Sequence, residues 1–91
     1  MQLRTDVVEW REVEGEIVAL DLRDQMYLGV NGSGAVLWPL LVDGTTRPAM
    51  AAALVTTYGI DEATARDDVE AFVAMLTERD LVTGPGADPA G

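Results

Sequence analysis

The first third of the chain contains short apolar segments separated by turn residues. Apolar residues alternate loosely with polar ones over residues 7–13, a Glu-Gly pair interrupts the pattern, and a second apolar segment covers residues 17–20. Residues 21–24 form a short connection to a third segment at residues 25–30. Alternation bounded by turn residues is typical of β-strands, and short connections favour antiparallel pairing. We therefore predict a three-stranded antiparallel meander.

After residue 30 the apolar spacing changes to that of a helix. Asn31 or Ser33 is predicted to cap a first helix, which ends at Asp43-Gly44. Pro39 falls inside this helix, where it has no N–H to donate and its ring crowds the preceding turn. We therefore expect a kink or an early break there.

Two further helices have clearer start and stop signals. Thr46 offers a capping hydroxyl before a helix over residues 49–58, and Gly59 ends that helix. Asp61 is predicted to cap a third helix from residue 62 to about residue 79. The core-facing positions of the third helix follow the spacing of three and four and are Ala65, Val69, Phe72, Val73 and Leu76.

These elements predict an α+β fold in which a three-stranded antiparallel sheet is followed by three helices, the outline of a small winged helix-turn-helix. The predicted domain covers residues 1–83, and residues 84–91, rich in glycine and proline, are predicted to form a disordered tail. A chain of 91 residues has room for one small core. In such a fold the terminal strand of the sheet keeps an open edge.

The charge balance excludes one class of partner. Sixteen acidic residues stand against six arginines, with neither lysine nor histidine, for a net charge of −10. Nucleic-acid binding requires a cationic surface that displaces counterions, and the predicted third helix carries seven acidic residues between residues 61 and 80. We predict no nucleic-acid partner. The negative field instead favours a basic partner.

The side chains available for chemistry predict a protein that is not an enzyme. A strand, glycines at residues 29, 32 and 34, and a helix start suggest a phosphate cradle, but the spacing is not G-x-G-x-x-G and no lysine is present. Without His, Cys or Lys the usual catalytic bases and nucleophiles are missing, and we predict no cofactor and no metal. The chain shows no apolar run of membrane-spanning length and no signal-peptide core, so we predict a cytoplasmic protein without a membrane partner.

A binding groove is expected between the third strand and the third helix. A second stripe on that helix, beside its core face, is part apolar and part charged: Asp68, Ala71, Phe72, Met75 and Arg79. If this stripe borders the open edge of residues 25–30, an extended peptide can dock there as an added strand. The alternative interpretation is that Phe72 and Met75 are ordinary core residues.

Several short motifs resemble the pyrroloquinoline-quinone-biosynthesis D (PqqD) family in their order and spacing. The resemblance covers roughly residues 15–82; each motif is weak alone, and the combination is fairly specific. The matching residues are Leu20-Asp21, Tyr27, Asn31, Gly34, Trp38, Leu41, Asp43-Gly44, Tyr58-Gly59, Asp68-Val69, Leu76 and Leu81-Val82. The length of the chain looks like the stand-alone version found in lasso-peptide biosynthesis.

The resemblance implies a non-catalytic leader-recognition element (RRE) for ribosomally made, modified peptides. Such a domain binds the precursor leader as an added strand and presents it to a leader-cleaving cysteine protease, ahead of an ATP-dependent cyclase. The implied leader is of the Tyr-x-x-Pro type, and the acidic surface favours a basic leader N-terminus. The peptide contacts that the resemblance implies are Met26, Tyr27, Leu28, Gly29 and Val30 on the strand and Asp68, Ala71, Phe72 and Met75 on the helix.

An alternative function and two departures from the family pattern accompany this interpretation. The alternative is a docking subunit that binds a folded partner protein through the third helix. Pro39 stands where the family usually has a helix-compatible polar residue, which questions the shape of the first helix. Asp80 replaces a small residue, often glycine, so the end of the third helix is expected to differ.

Overall fold

The computed structural model describes residues 1–84, which form two small sheets and three helices. The elements in chain order are β1 (Gln2–Leu3), β2 (Val8–Val13), β3 (Glu16–Asp21), β4 (Met26–Val30), α1 (Ser33–Asp43), α2 (Arg47–Tyr58), α3 (Glu62–Glu78) and β5 (Val82–Thr83). One antiparallel sheet has the order β2-β3-β4, and β1 pairs with β5 in the other. The predicted α+β class is confirmed, whereas β1 and β5 were not predicted.

Apart from Gly84, the tail predicted over residues 84–91 lies outside the described residues. The domain limit at residue 83 and the winged helix-turn-helix likeness remain predictions.

A two-residue turn sets the register of the main sheet. Glu14 and Gly15 have φ values of 52° and 82°. A positive φ at both central residues is what a type I′ turn requires, and this turn matches the twist of antiparallel strands. Val13 and Glu16 close the hairpin as a cross-strand pair, and the register continues from them along β2 and β3.

The register divides the main sheet into an inner face, which packs on the helices, and an outer face. On β3, Ile17 and Ala19 are buried on the inner face, and Val18 between them is 38% exposed on the outer face. Trp10, paired with Ala19, also lies on the inner face and contacts Trp38 of α1 edge to face, with ring centroids 6.2 Å apart. The sheet is thus anchored to α1 through an aromatic pair.

The start and the middle of α1 differ from the sequence-based expectation. Gly32 occupies the N-cap position with no side-chain hydrogen bond, so the predicted cap by Asn31 or Ser33 is wrong. The helix continues through Pro39 to Asp43, so an early break does not occur. The side chains on either side of Pro39 account for this, because Trp38 and Leu41 are fully buried and hold α1 in the core.

The other two helices have the predicted caps, although α2 begins at Arg47, two residues earlier than predicted. The Ala49 N–H donates to Thr46 Oγ1 at 3.2 Å, and the Thr64 N–H donates to Asp61 Oδ1 at 3.0 Å. The hydrogen bonds to Asp61 also lower the pKa of its carboxyl. Gly59 ends α2 in the left-handed region with φ 67°.

One core joins the inner face of the sheet to the helices. Four of the five predicted core positions of α3 are buried, and Phe72 is only half-buried at the margin of the core. The largest fully buried side chains include Trp38, Ile17 and Leu54. Within residues 1–84, no helix has both the length and the apolar character needed to cross a membrane.

Asp80 joins three parts of the chain just after α3. Its backbone has φ 56°, a left-handed conformation that favours glycine and that aspartate also tolerates. Asp80 Oδ2 accepts from Arg4 at 2.6 Å and from Arg23 at 3.1 Å. Asp80 therefore adopts a backbone conformation that favours glycine and adds ion pairs to the N-terminal segment and the β3–β4 connection.

We expect Asp80→Ala to be less stable than Asp80→Gly by about 1 kcal/mol. Both variants lose the ion pairs, but only alanine also bears the steric cost of the left-handed conformation. Urea denaturation followed by tryptophan fluorescence gives the difference between the two variants. Equal stabilities would show that residue 80 does not keep its positive φ in solution.

Candidate functional site

Hydrogen-bond alternation identifies which side of β3 faces each neighbouring strand. The Leu22 N–H, directly after β3, donates to the carbonyl oxygen of Val7 at 2.9 Å. Alternate residues of a strand direct their main-chain groups to opposite sides. The even-numbered residues of β3 therefore bond to β2, and the odd-numbered residues bond to β4.

The same alternation leaves two residues of β4 with free main-chain groups. Met26, Leu28 and Val30 pair with the odd-numbered residues of β3, so their N–H and C=O groups are used within the sheet. The N–H and C=O groups of Tyr27 and Gly29 point to the opposite side. No strand among residues 1–84 pairs with β4 on that side. The edge of the sheet is open at these two residues.

A groove lies between the second half of β4 and the middle of α3. It has a volume of about 350 Å³. Its lining residues are Gly29, Val30, Asn31, Ser33 and Gly34 from β4 and the start of α1, and Asp68, Ala71, Phe72 and Met75 from α3. The structure thus brings all four helix positions expected from the sequence next to the last two residues of the edge strand.

The other three expected strand residues lie outside this lining. Met26 is 57% exposed and Tyr27 is 70% exposed, whereas Leu28 is half-buried against the core. Tyr27 pairs with Leu20, which lies on the outer face, so its side chain also belongs to the outer face. Tyr27 therefore faces the open edge through its main-chain N–H and C=O groups and not through its side chain.

Sequence reasoning missed three groove residues that follow β4. Asn31, Ser33 and Gly34 line the groove, but the sequence analysis does not include them among the peptide contacts. The signal was present in the cluster of glycines at this point of the chain, which typically marks close backbone approach.

Gly34 holds the end of β4 against α3. It is buried, and a Cβ atom placed on it would lie 2.5 Å from Val30 Cγ1 and 2.9 Å from Phe72 Cε1. Both distances are too short for a carbon contact, so no other residue fits without displacing these side chains. The absence of a side chain at residue 34 sets the position of Phe72 in the groove.

Arg23 fastens the opposite end of β4 to the end of α3. Its guanidinium donates to the carbonyl oxygen of Arg79 at 2.9 Å and to Asp80 at 3.1 Å. It also forms a two-pronged pair with Asp21, with bonds of 2.9 and 3.0 Å, and this pair lowers the pKa of Asp21 to about 2. Both ends of the edge strand are thus held at a set distance from α3.

The chemistry of the groove is mainly apolar. Val30, Ala71, Phe72 and Met75 provide carbon surface, and Asp68 is the one carboxylate among the lining residues. The groove itself is therefore less acidic than the overall charge of α3 suggests. A ligand at this site therefore meets negative charge mainly through the net charge of −10 on the whole chain.

A larger depression lies on the other side of α3 and differs in kind. Its volume is about 840 Å³, and it separates α2 from α3. It is lined by Arg47, Pro48, Ala51, Ala52, Val55, Thr56, Glu62, Arg66, Val69 and Glu70. Because both of its walls are helices whose main-chain groups are used internally, it offers a peptide no strand edge.

Comparison with known proteins establishes the class of this domain. The fold is a mixed α+β domain whose edge strand lies open beside a helix, and the family described as "Coenzyme PQQ synthesis protein D (PqqD)" matches residues 16–82. The chain belongs to the PqqD family. No curated protein sequence matches the chain.

Two solved structures are similar to this chain over nearly their full lengths. One is described as "TbiB1 in Complex with the TbiA(beta) Leader Peptide"; it is 27% identical, with a TM-score of 0.83 over 92% of this chain and 96% of that chain. The other is described as "Lasso peptide synthetase B1 complexed with the leader peptide"; it is 25% identical, with a TM-score of 0.78 over 91% of this chain and 96% of that chain.

We expect Gly34→Ala to destabilise the domain by about 1–3 kcal/mol, because the added methyl group overlaps Val30 and Phe72. Gly29→Ala is the matched control, since a Cβ at residue 29 meets no atom within 4 Å. Urea denaturation compares the two variants. A Gly34→Ala protein as stable as the Gly29→Ala protein would show that the contact of α1 with Phe72 is loose.

Proposed function

We propose that this domain captures the leader of a ribosomally made precursor peptide of the lasso type by adding the leader as a strand to β4. The leader lies between β4 and α3, with its backbone bonded to Tyr27 and Gly29. The domain performs no chemistry itself and delivers the bound leader to a leader-cleaving cysteine protease. The observation that carries this proposal is the open main-chain edge at Tyr27 and Gly29.

The geometry supports strand addition over simple surface adhesion. Free N–H and C=O groups at alternate residues give an extended peptide repeated main-chain bonds, and the apolar groove gives its inward-facing side chains contacts with Phe72 and Met75. Both ends of β4 are fastened to α3, so little ordering of the domain is needed on binding. This rigidity favours affinity for a flexible peptide.

The relatives support the choice of guest. The family match covers residues 16–82, and both similar solved structures are described as complexes with a leader peptide. The partners proposed beyond the leader are the leader-cleaving protease and the ATP-dependent cyclase that acts after it. The proposed leader is of the Tyr-x-x-Pro type with a basic N-terminus, and the proposed location is the cytoplasm.

A proline at residue 27 tests strand addition directly. Tyr27→Pro removes the N–H on the free side of β4 while keeping the bonds of β4 to β3, so the domain stays folded. Loss of one main-chain bond with an unsatisfied partner costs about 1–3 kcal/mol. We therefore expect the proline variant to bind a labelled synthetic leader between about fivefold and 150-fold more weakly than Tyr27→Ala.

Fluorescence polarisation with a labelled synthetic leader of the Tyr-x-x-Pro type gives both affinities. Tyr27→Ala is the matched control, because it lacks the same side chain but keeps the N–H. Circular dichroism confirms that both variants are folded. Equal affinities in folded variants would rule out the β4 edge as the docking site and favour the alternative, a folded partner bound through α3.

We expect leader affinity to fall as salt is added. The domain has a net charge of −10, which attracts a leader with basic residues near its N-terminus. Salt screens this attraction over about 10 Å at 0.1 M ionic strength. Titrations at low and high sodium chloride measure the effect, and a leader with those basic residues replaced by glutamine is the control. The same salt response for both peptides would remove the role of charge.

A further inference from the structure

The outer face of the main sheet has an apolar area that extends to β4, the open edge strand, where Gly29 contributes no side chain. Across the sheet, Val18 of β3 pairs with Gly29 of β4, and Leu20 pairs with Tyr27. Val18 is 38% exposed and Tyr27 is 70% exposed, so this area is open to solvent. The side chains of Val18, Leu20 and Tyr27 lie on the outer face of the sheet, and the core-facing residues of β3 lie on the inner face.

Gly29 leaves Val18 uncovered on the side of the edge. A Cβ atom placed on Gly29 meets no atom within 4 Å, which shows empty space above this residue. The pair of Val18 and Gly29 is also of the non-hydrogen-bonded kind, in which side chains approach more closely. We call the space above Gly29, bounded by Val18 and Tyr27, the outer notch.

The outer notch shares Val18 and Tyr27 with a wider depression beside it. This depression is lined by Thr5, Val8, Glu9, Trp10, Arg11, Val18, Leu20 and Tyr27. Val18, Leu20 and Tyr27 form its part nearest to β4, because these residues belong to β3 and β4. Glu9 and Arg11 belong to β2, two strands from the open edge. A side chain that enters from the edge therefore meets carbon surface first.

A guest strand on β4 directs one side chain over the outer notch. Residues paired across neighbouring strands point to the same face, so the guest residue paired with Gly29 points to the outer face whether the guest runs parallel or antiparallel. Neighbouring strands are about 4.8 Å apart, which places the guest backbone about two spacings from β3. A small side chain ends above Gly29, whereas a large one reaches Val18.

We propose that the outer notch is a second specificity site, which takes a large apolar side chain, aromatic or long aliphatic, from the guest residue paired with Gly29. This inference rests on the proposed function, since it requires the guest strand on β4. An aromatic ring laid over a glycine on the neighbouring strand is a recognised stabilising pair in sheets. The guest is thus recognised on both of its faces, by α3 on one and by Val18 and Tyr27 on the other.

A double-mutant cycle between the domain and the guest tests the outer notch. The guest is a labelled synthetic leader peptide of the Tyr-x-x-Pro type, and each of its residues is replaced in turn by alanine. We expect one large apolar leader residue to lose about tenfold in affinity on replacement with the wild-type domain. With Val18→Ser, the same replacement should cost threefold or less, because the contact is already gone.

Val13→Ser is the matched control. Val13 lies on the same outer face and is 46% exposed, but it pairs with Glu16 at the hairpin end of the sheet, away from Gly29. In this variant the alanine replacement should cost the same as in the wild type. Gly29→Val provides a second measurement, since its side chain fills the notch while keeping the edge N–H, and it should weaken the native leader more than the alanine-substituted one.

The outcomes separate this inference from the proposed function. A wild-type domain that does not bind the leader overturns the proposed function. A wild-type domain that binds the leader, with no leader position coupled to Val18 or Gly29, overturns the outer notch alone. Coupling at a charged or small leader residue would also overturn it, since the notch selects large apolar side chains.

Discussion

The arrangement of hydrogen bonds in the main sheet determines what this domain can bind. The turn at Glu14 and Gly15 sets the pairing of β2 with β3, and the alternation of main-chain groups then carries that choice across to β4. As a result the groups of Tyr27 and Gly29, rather than those of their neighbours, face the open side. A change of register by one residue would exchange these groups and turn every side chain to the opposite face.

An open strand edge is also a liability, because it can pair with other copies of the same chain. Several features of the domain oppose this. The edge strand β4 has only five residues, and Gly29 within it weakens strand pairing. Helix α3 lies beside the same edge. The charge of −10 makes copies repel each other. A flexible guest can enter the groove, whereas a second folded sheet would collide with α3.

Much of the fold was predictable from local chemistry. The caps at Thr46 and Asp61 and the stop at Gly59 act within a few residues, so the sequence alone indicates where α2 and α3 begin and where α2 ends. The two-residue strands β1 and β5 were missed because they pair the two ends of the described chain and carry too few residues for a pattern. The continuity of α1 through Pro39 was missed because tertiary packing around Trp38 outweighs local propensity.

The candidate site shows the same division. The helix stripe and the edge strand were expected from residue spacing and from family resemblance, and the structure places them together. The contribution of Asn31, Ser33 and Gly34 could not be predicted, because it depends on the path of the chain after β4, and no periodicity in the sequence reveals that path. The role of Gly29 on the outer face could be recognised only once the strand register was known, because its cross-strand neighbour Val18 is eleven positions away in the sequence.

The tight contact at Gly34 has a consequence for how guest preference can diverge in evolution. Because a side chain at residue 34 would overlap Val30 and Phe72, a larger residue there requires compensating changes on β4 and α3. The surface around Gly29 and Val18 has no such interlock and accepts single substitutions. Homologues that acquire new precursors are thus expected to drift first on the solvent side of the sheet and to inherit the helix side almost unchanged.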